Sequence, residues 1–167
     1  MLSTLPEVPS DFTGPHRSSA RIDPHVVETR LWIEEHEWLY GLLRSASNVS
    51  PTFRLPDLIS ACVAIILAEP NAAHRIFGFL GAELILRDPM TPRRRESMWR
   101  PQYERLQELQ RSPLNRHPHP KFQLDQLTTA CVALCRQADD TGVNVLRQAR
   151  HNMAERALRA RPPDEQH

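Results

Sequence analysis

Residues 51–64 read PTFRLPDLISACVA, and residues 120–133 read PKFQLDQLTTACVA, 69 positions further along a chain of 167 residues. Eight of the fourteen aligned positions are identical, including the run Ala-Cys-Val-Ala. A match this dense over so short a window indicates an internal repeat. We therefore expect the shared residues to build a common core and the differing residues to carry what distinguishes the two copies.

Each copy has the same predicted order of one strand and two helices. TFRL (52–55) and KFQL (121–124) alternate polar and apolar residues, which is typical of a strand. The first helix then begins, with Pro56 tolerated in its first turn in one copy and Asp125 as the candidate N-cap in the other. A break and a second apolar-striped helix complete each unit. The units are predicted to span residues 51–88 and 120–160.

The remaining segments surround these two units. Residues 1–25 are rich in proline and serine without periodicity and are predicted to be a disordered tail. Residues 26–47 carry apolar residues at helical spacing opposite several glutamates, which predicts an amphipathic N-terminal helix. Residues 89–119 are predicted to form a linker with a helix kinked near Pro101, and residues 161–167 a second tail.

The charge of the chain is unevenly distributed. The net charge is only +1. Residues 1–88, however, carry seven Lys/Arg and eleven Asp/Glu, whereas residues 89–167 carry fourteen and nine. A basic half suits a polyanionic partner, although an excess this small does not identify one.

Cysteine usage and hydropathy favour a cytoplasmic protein. Cys62, Cys131 and Cys135 all fall in apolar helical segments without a C-x-x-C pair, so buried reduced thiols are predicted. The first residues lack the basic and apolar pattern of a secretory leader. The longest apolar run, roughly residues 59–68, is too short to cross a bilayer.

Enzymatic and metal-dependent functions find little support in the sequence. There is no Gly-rich phosphate loop or nucleophile elbow, and five glycines leave little material for a cofactor cradle. The two histidines of RHPHP (116–120) flank a proline and would make a poor metal site. We therefore predict a non-enzymatic protein without cofactor or metal.

A lone strand of four residues cannot satisfy its own hydrogen-bonding edges. Two units could pair their strands antiparallel as a two-stranded ribbon over a helical core. Alternation then directs four apolar side chains inward: Phe53, Leu55, Phe122 and Leu124. It directs four polar side chains outward: Thr52, Arg54, Lys121 and Gln123.

This order of elements resembles the ribbon-helix-helix DNA-binding proteins, the group that includes the Arc, Mnt and MetJ repressors. PKFQL (120–124) is similar to the ribbon of the Arc-type repressors, and GVNVL (142–146) to the family's turn into its second helix. The resemblance covers about forty residues in each copy. It implies a mainly α fold in which two ribbon-helix-helix units in one chain form an intramolecular pseudo-dimer, as in the tandem members of the family.

The resemblance also implies where double-stranded DNA would bind. In the family the outward ribbon residues read bases in the major groove, which here gives Thr52, Arg54, Lys121 and Gln123. The amides that start the second helices hold phosphates, which here gives Asn71, Ala72, Ala73, Thr141 and Gly142. Arginine, lysine and glutamine suit base-edge recognition. The acidic Asp125 and the pair Asp139–Asp140 depart from this pattern and would weaken the second unit's contacts with DNA.

Two functions remain open from the sequence. The first is sequence-specific DNA binding, as a transcriptional repressor or as a transfer or partition accessory protein of a plasmid or other mobile element, with self-association on adjacent sites. Unlike residues at Thr52/Lys121 and Arg54/Gln123 would make the preferred DNA sequence asymmetric. The alternative is a protein-interaction module without DNA readout, such as an antitoxin-like or secretion partner, using the N-terminal helix as its surface.

Overall fold

The computed structural model describes residues 25–115 and 122–161, so the predictions for the N-terminal tail and for Lys121 lie outside the described residues. Each half of the chain contributes one strand followed by three helices. The first half contains β1 (Val26–Trp32), α1 (Ile33–Leu43), α2 (Leu55–Leu67) and α3 (Ala72–Ala82). The second half contains β2 (Arg93–Trp99), α4 (Arg100–Gln110), α5 (Leu124–Ala138) and α6 (Val143–Ala160). Short 3₁₀ turns lie at Leu84–Leu86 and Pro113–Asn115. The prediction of a mainly helical protein with a two-stranded antiparallel sheet is confirmed.

The two strands pair antiparallel around an approximate two-fold axis. The register runs from Val26 opposite Trp99 to Trp32 opposite Arg93. Trp32 and Trp99 each end a strand and directly precede a helix, so they occupy equivalent positions in the two halves. The ribbon is therefore symmetric in its backbone and differs between halves only in its side chains.

The ribbon does not come from the segments that were predicted to form it. Residues 52–54 belong to no strand, and neither do residues 122–123; helices α2 and α5 begin directly after them. The backbone at Arg54 is extended, with φ −104° and ψ 171°, but its neighbour is not another strand. The side-chain amide of Asn48 bonds both the N–H and the C=O of Phe53. One side chain thus does what a partner strand was expected to do.

The two strands that do form were predicted as other structures. Residues 26–32 were expected to start the N-terminal helix, but the helix begins only at Ile33. Residues 93–99 were expected in a loop and the start of a kinked helix; they form β2, and Pro101 sits in the first turn of α4. The first prediction is wrong because the short apolar pattern of residues 26–32 fits the helical and strand periods alike, and the second because three consecutive arginines give no apolar alternation to mark a strand.

The N-cap predicted at Asp125 is also wrong. Gln123 occupies the N-cap position of α5, and Asp125 lies within its first turn. The backbone N–H of Gln123 donates to Gln126 Oε1 at 2.8 Å. In the first half the N–H of Arg54 donates in the same way to Asp57 Oδ2 at 3.0 Å. A side chain three residues into each helix therefore satisfies the N-cap amide.

The repeated Ala-Cys-Val-Ala segments lie where α2 and α5 pack against each other beneath the ribbon. Cys62 and Cys131 are fully buried, as predicted, and burial raises the pKa of both thiols well above its ordinary value. The halves are intertwined: β1 lies on α5, β2 on α2, α6 packs against α2, and α3 packs against α5. Neither half could bury its apolar faces without the other.

Equivalent polar contacts tie each strand end to the central helix of the other half. The N–H of Trp99 donates to Ser60 Oγ at 2.8 Å, and the N–H of Trp32 donates to Thr129 Oγ1 at 3.2 Å. Ser60 and Thr129 are equivalent positions of the repeat. These bonds fix where the ribbon sits on the helical layer.

Within the described residues, no single helix has the length and apolar character needed to cross a membrane, although the bent pair of α2 with residues 72–86 passes on length and composition.

Candidate nucleic-acid interface

The ribbon has one buried face and one open face. Leu31 and Met98 are fully buried against the helices, and Thr29, on the same face, bonds Thr128 of α5 at 3.0 Å. Because side chains alternate along a strand, the intervening residues form the opposite face. Its four central residues are Glu28, Arg30, Arg95 and Ser97.

A pair of arginines stands at the centre of this outer face. Arg30 and Arg95 lie directly opposite each other in the register, and both are exposed. Like charges placed directly across an antiparallel pair are destabilising. An anion lying over the ribbon would relieve that repulsion.

The charge of this face is asymmetric about the two-fold axis. Glu28 is the equivalent of Arg95, and Ser97 is the equivalent of Arg30. Arg95 Nε approaches Glu28 Oε2 at 3.2 Å, with both side chains more than half exposed. An ion pair so open to solvent contributes little to stability and exchanges easily for another anion.

The neighbouring arginines of β2 divide into one structural residue and one exposed residue. The Arg93 guanidinium lies 4.2 Å from the centre of the Trp32 ring and donates to the carbonyls of Pro89 and Thr91. Arg94 is exposed. Arg94 lies opposite the buried Leu31, so alternation places it at the margin of the helix-facing side and not on the outer face, while Arg93 holds the end of the ribbon.

The residues predicted to read bases lie away from this ribbon. Thr52 and Arg54 are exposed in the segment leading into α2, and Gln123 is exposed at the start of α5. Lys121 lies outside the described residues. Since no strand joins these positions, the structure does not bring them together on one sheet.

The residues predicted to bind phosphate begin α3 and α6. Asn71 is the N-cap of α3, and Ala72 and Ala73 form its first turn; no side chain caps this end. At α6, Gly142 is the N-cap, with φ +76°, a left-handed conformation that suits glycine.

A carboxylate of the chain already accepts hydrogen bonds at the N-terminal end of α6. Asp139 accepts hydrogen bonds from the Thr141 side chain, the N–H of Thr141 and the N–H of Asn144. The Thr141 hydroxyl, followed by these amides, lowers the pKa of Asp139. A phosphate approaching Thr141 and Gly142 would have to compete with this internal anion.

The sequence did hold a signal for the true ribbon. Trp32, Leu39 and Asn48 recur as Trp99, Leu106 and Asn115, each 67 positions later. After Asn48 and Asn115 the equivalent residues are 69 positions apart, because the loop after Asn115 is two residues longer than the loop after Asn48. Extending the repeat across that shift would have aligned β1 with β2 and pointed to Arg30 and Arg95.

No protein-family model, no curated protein and no solved structure matches this chain.

Proposed function

We propose that this protein binds double-stranded DNA through the outer face of the β1–β2 ribbon. The observation that carries the proposal is the cross-strand pair Arg30–Arg95, exposed on the open face of a two-stranded ribbon. The major groove of B-DNA admits a two-stranded ribbon, and arginine is the residue best suited to guanine. The segments that carried the ribbon-helix-helix resemblance do not form this ribbon, so the proposal rests on the ribbon's own geometry and charge.

The asymmetry of the outer face bears on the DNA sequence that would be preferred. On one side of the two-fold axis the outer face presents the cross-strand pair Arg30 and Arg95. On the other side it presents the pair Glu28 and Ser97. Arginine can pair with guanine O6 and N7, whereas a glutamate accepts from a cytosine amine. A two-fold symmetric operator would place one half-site against the wrong side chains, so the preferred site is a non-palindromic one.

Such a protein would act in the cytoplasm as a transcriptional repressor, or as an accessory factor in transfer or partition of a mobile element. Binding to adjacent sites by self-association belongs to the same proposal. Which of these roles the protein has depends on the DNA sequence that it binds. Selection of bound sequences from a random pool would identify that sequence.

Fluorescence polarisation with a short random-sequence duplex tests the binding itself. We expect affinity to fall steeply between about 50 mM and about 200 mM salt, with a log–log slope of about −0.9 per phosphate contacted. The double variant Arg30→Gln/Arg95→Gln should weaken binding by at least about tenfold, since one good arginine–guanine contact is worth roughly 1–3 kcal/mol.

A charge-matched control separates the ribbon from general electrostatics. The double variant Arg54→Gln/Arg147→Gln also removes two exposed positive charges, but at the starts of α2 and α6. It should retain most of the affinity. Absence of binding at low salt, or an equal loss in the two double variants, would contradict readout by the ribbon.

A second candidate function, a protein-interaction module, is favoured by a different surface. Ile85, Leu86 and Met90 lie within six residues of one another and are 59%, 81% and 83% exposed. Large apolar side chains this exposed and this close together are typical of a protein contact. This surface replaces the N-terminal helix as the place for a partner. Substituting Leu86 and Met90 by serine should abolish such an interaction and leave DNA binding unchanged.

A further inference from the structure

Two equivalent clefts flank the central helices, one in each half of the molecule. Each has a volume of about 380 Å³. The cleft of the first half is lined by Glu35, Arg87, Ala133, Arg136, Gln137 and Asp140. The repeat aligns Glu35 with Gln102, Arg87 with Arg156 and Ala133 with Ala64, and all three of these counterparts line the cleft of the second half. The first cleft can therefore serve as an internal reference for the second.

In the first cleft the arginine already pairs with carboxylates of the chain. Both Nη atoms of Arg87 donate to the Glu35 carboxylate at 2.7 Å, and the Glu35 side chain is only 3% exposed. This hydrogen bonding raises the pKa of Arg87, and the nearby charge of Glu83 adds to the effect. Glu34 also approaches Arg87 at 3.3 Å, so three acids of the chain, Glu34, Glu35 and Glu83, surround this arginine.

The second cleft carries amides at two positions where the first half of the chain carries acids, of which Glu35 lines the first cleft. Gln102 replaces Glu35, and Asn152 replaces Glu83. Three arginines, Arg105, Arg156 and Arg159, line this cleft together with His151, against the single carboxylate of Glu155. Glu155 pairs with Arg159 and His151, and Arg156 pairs with Asp57. With histidine neutral, three arginines against these two carboxylates leave an excess of one positive charge, whereas Glu35 and Asp140 balance Arg87 and Arg136 in the first cleft.

Both amides present polar atoms that meet no protein partner. Asn152 is 7% exposed; its Oδ1 accepts from Gln148 at 2.9 Å, but its buried Nδ2 has no acceptor among the described residues. The buried Oε1 of Gln102 has no donor in the same part of the chain. A buried polar atom left without a partner costs about 1–3 kcal/mol. A ligand that enters this cleft would give both atoms a partner if the two side-chain amides turned toward it.

An apolar groove continues from this cleft. It has a volume of about 640 Å³ and shares Pro101, Arg156 and Arg159 with the polar cleft. Its remaining lining is His25, Trp99, Met153, Ala157 and Ala160. Arg156 stands between the two, with its guanidinium 3.8 Å from the Trp99 ring centre and bonded to Asp57. A charged compartment thus opens directly onto an aromatic and aliphatic one.

We propose that this joined site binds a small organic anion that carries an acidic group and an apolar ring or chain. The acidic group lies in the polar cleft, where Arg105 and Arg159 balance its charge and the Asn152 amide turns to donate to one of its oxygens. Gln102 Oε1 accepts from a hydroxyl or N–H of the ligand. The apolar part lies along Trp99 and Met153. The site is independent of the ribbon and of DNA binding.

Isothermal titration calorimetry with 2-naphthoate and its neutral counterpart 2-naphthamide tests the charge requirement on the full chain. We expect one saturable site for 2-naphthoate, at least about tenfold tighter than for the amide, because one lost charged hydrogen bond is worth roughly 1.5–3 kcal/mol. Equal affinity for the two compounds, or no saturable binding of 2-naphthoate, would overturn the proposal.

Variants then locate the site. Gln102→Glu gives the second cleft the acid that the first cleft has at the equivalent position, Glu35. Arg159→Gln removes a cation at an exposed position, where the change does not endanger folding. Each should weaken 2-naphthoate binding by about tenfold or more. Glu83→Gln makes the opposite exchange, acid to amide, at the position equivalent to Asn152 and should leave binding unchanged. Binding that survives both site variants, or that is lost equally in Glu83→Gln, would place the ligand elsewhere.

Discussion

Replacing Asn48 by alanine should be among the most destabilising single changes in this protein. The side chain is 3% exposed and makes three hydrogen bonds: Nδ2 donates to Leu43 O at 2.9 Å and to Phe53 O at 3.0 Å, and Oδ1 accepts from Phe53 N–H at 2.7 Å. Alanine removes all three and leaves the backbone groups of Phe53 buried without partners. At about 1 kcal/mol for each bond, with a further contribution from the orphaned groups, the expected loss is about 3–4 kcal/mol.

Urea unfolding followed by circular dichroism measures this loss, and thermal unfolding should show a decrease in Tm of about 10 °C for a chain of this length. Asn115 makes the equivalent three bonds to Gln110 and Phe122, so Asn115→Ala should cost a similar amount. Asn144→Ala is the control, because Asn144 is exposed and a surface change should stay within about 0.5 kcal/mol. A loss below about 1 kcal/mol at Asn48 would refute the reasoning that its side chain stands in for a strand.

Two further predictions concern ionisable groups. Asp139 has a lowered pKa in the folded protein because Thr141 and the Asn144 amide bond its carboxylate, so its contribution to stability is present above the unfolded pKa of about 3.9 and is lost as pH falls through the folded pKa. Asp139→Ala should therefore lower Tm at neutral pH, and the difference from the parent protein should vanish in acid; a difference that persists at every pH would contradict this role. Cys62 and Cys131 have raised pKa values because they are buried, so a thiol reagent such as DTNB should label them slowly in the native protein at mildly alkaline pH and rapidly after unfolding in guanidinium chloride. Rapid labelling in the native state would show that the α2–α5 interface opens readily.

The helical core was largely predictable from sequence. The shared Ala-Cys-Val-Ala residues build the buried contact of α2 with α5, because two identical small-residue surfaces can meet across an approximate two-fold axis. The breaks before α3 and α6 were predictable as well, since Asn71 and Gly142 are residues that favour helix ends.

The ribbon and the sites were not predictable in the same way. A strand depends on what lies beside it: Phe53 is extended like a strand residue, yet its hydrogen bonds go to Asn48. In β2, three consecutive arginines suggested a loop, because nothing local shows that one face of the segment is buried by Met98 and the other left open. The prediction that Thr52, Arg54, Lys121 and Gln123 read DNA followed from the misplaced strands, and the proposal now rests on Arg30 and Arg95.

The sequence by itself determined that the chain contains two copies of one helical unit, because the repeated apolar pattern gives each copy an apolar surface that the other copy can pack against. Only the tertiary structure decided which extended segments pair, since β1 and β2 are 67 positions apart and a strand's hydrogen bonds are made to residues remote in sequence. It also decided that Gln102 and Asn152 line one cleft and each keep a buried polar atom without a partner among the described residues, while Glu35, the counterpart of Gln102, pairs with Arg87 in the other cleft. Burial and hydrogen bonding are properties of the folded surroundings, and no local pattern contains them.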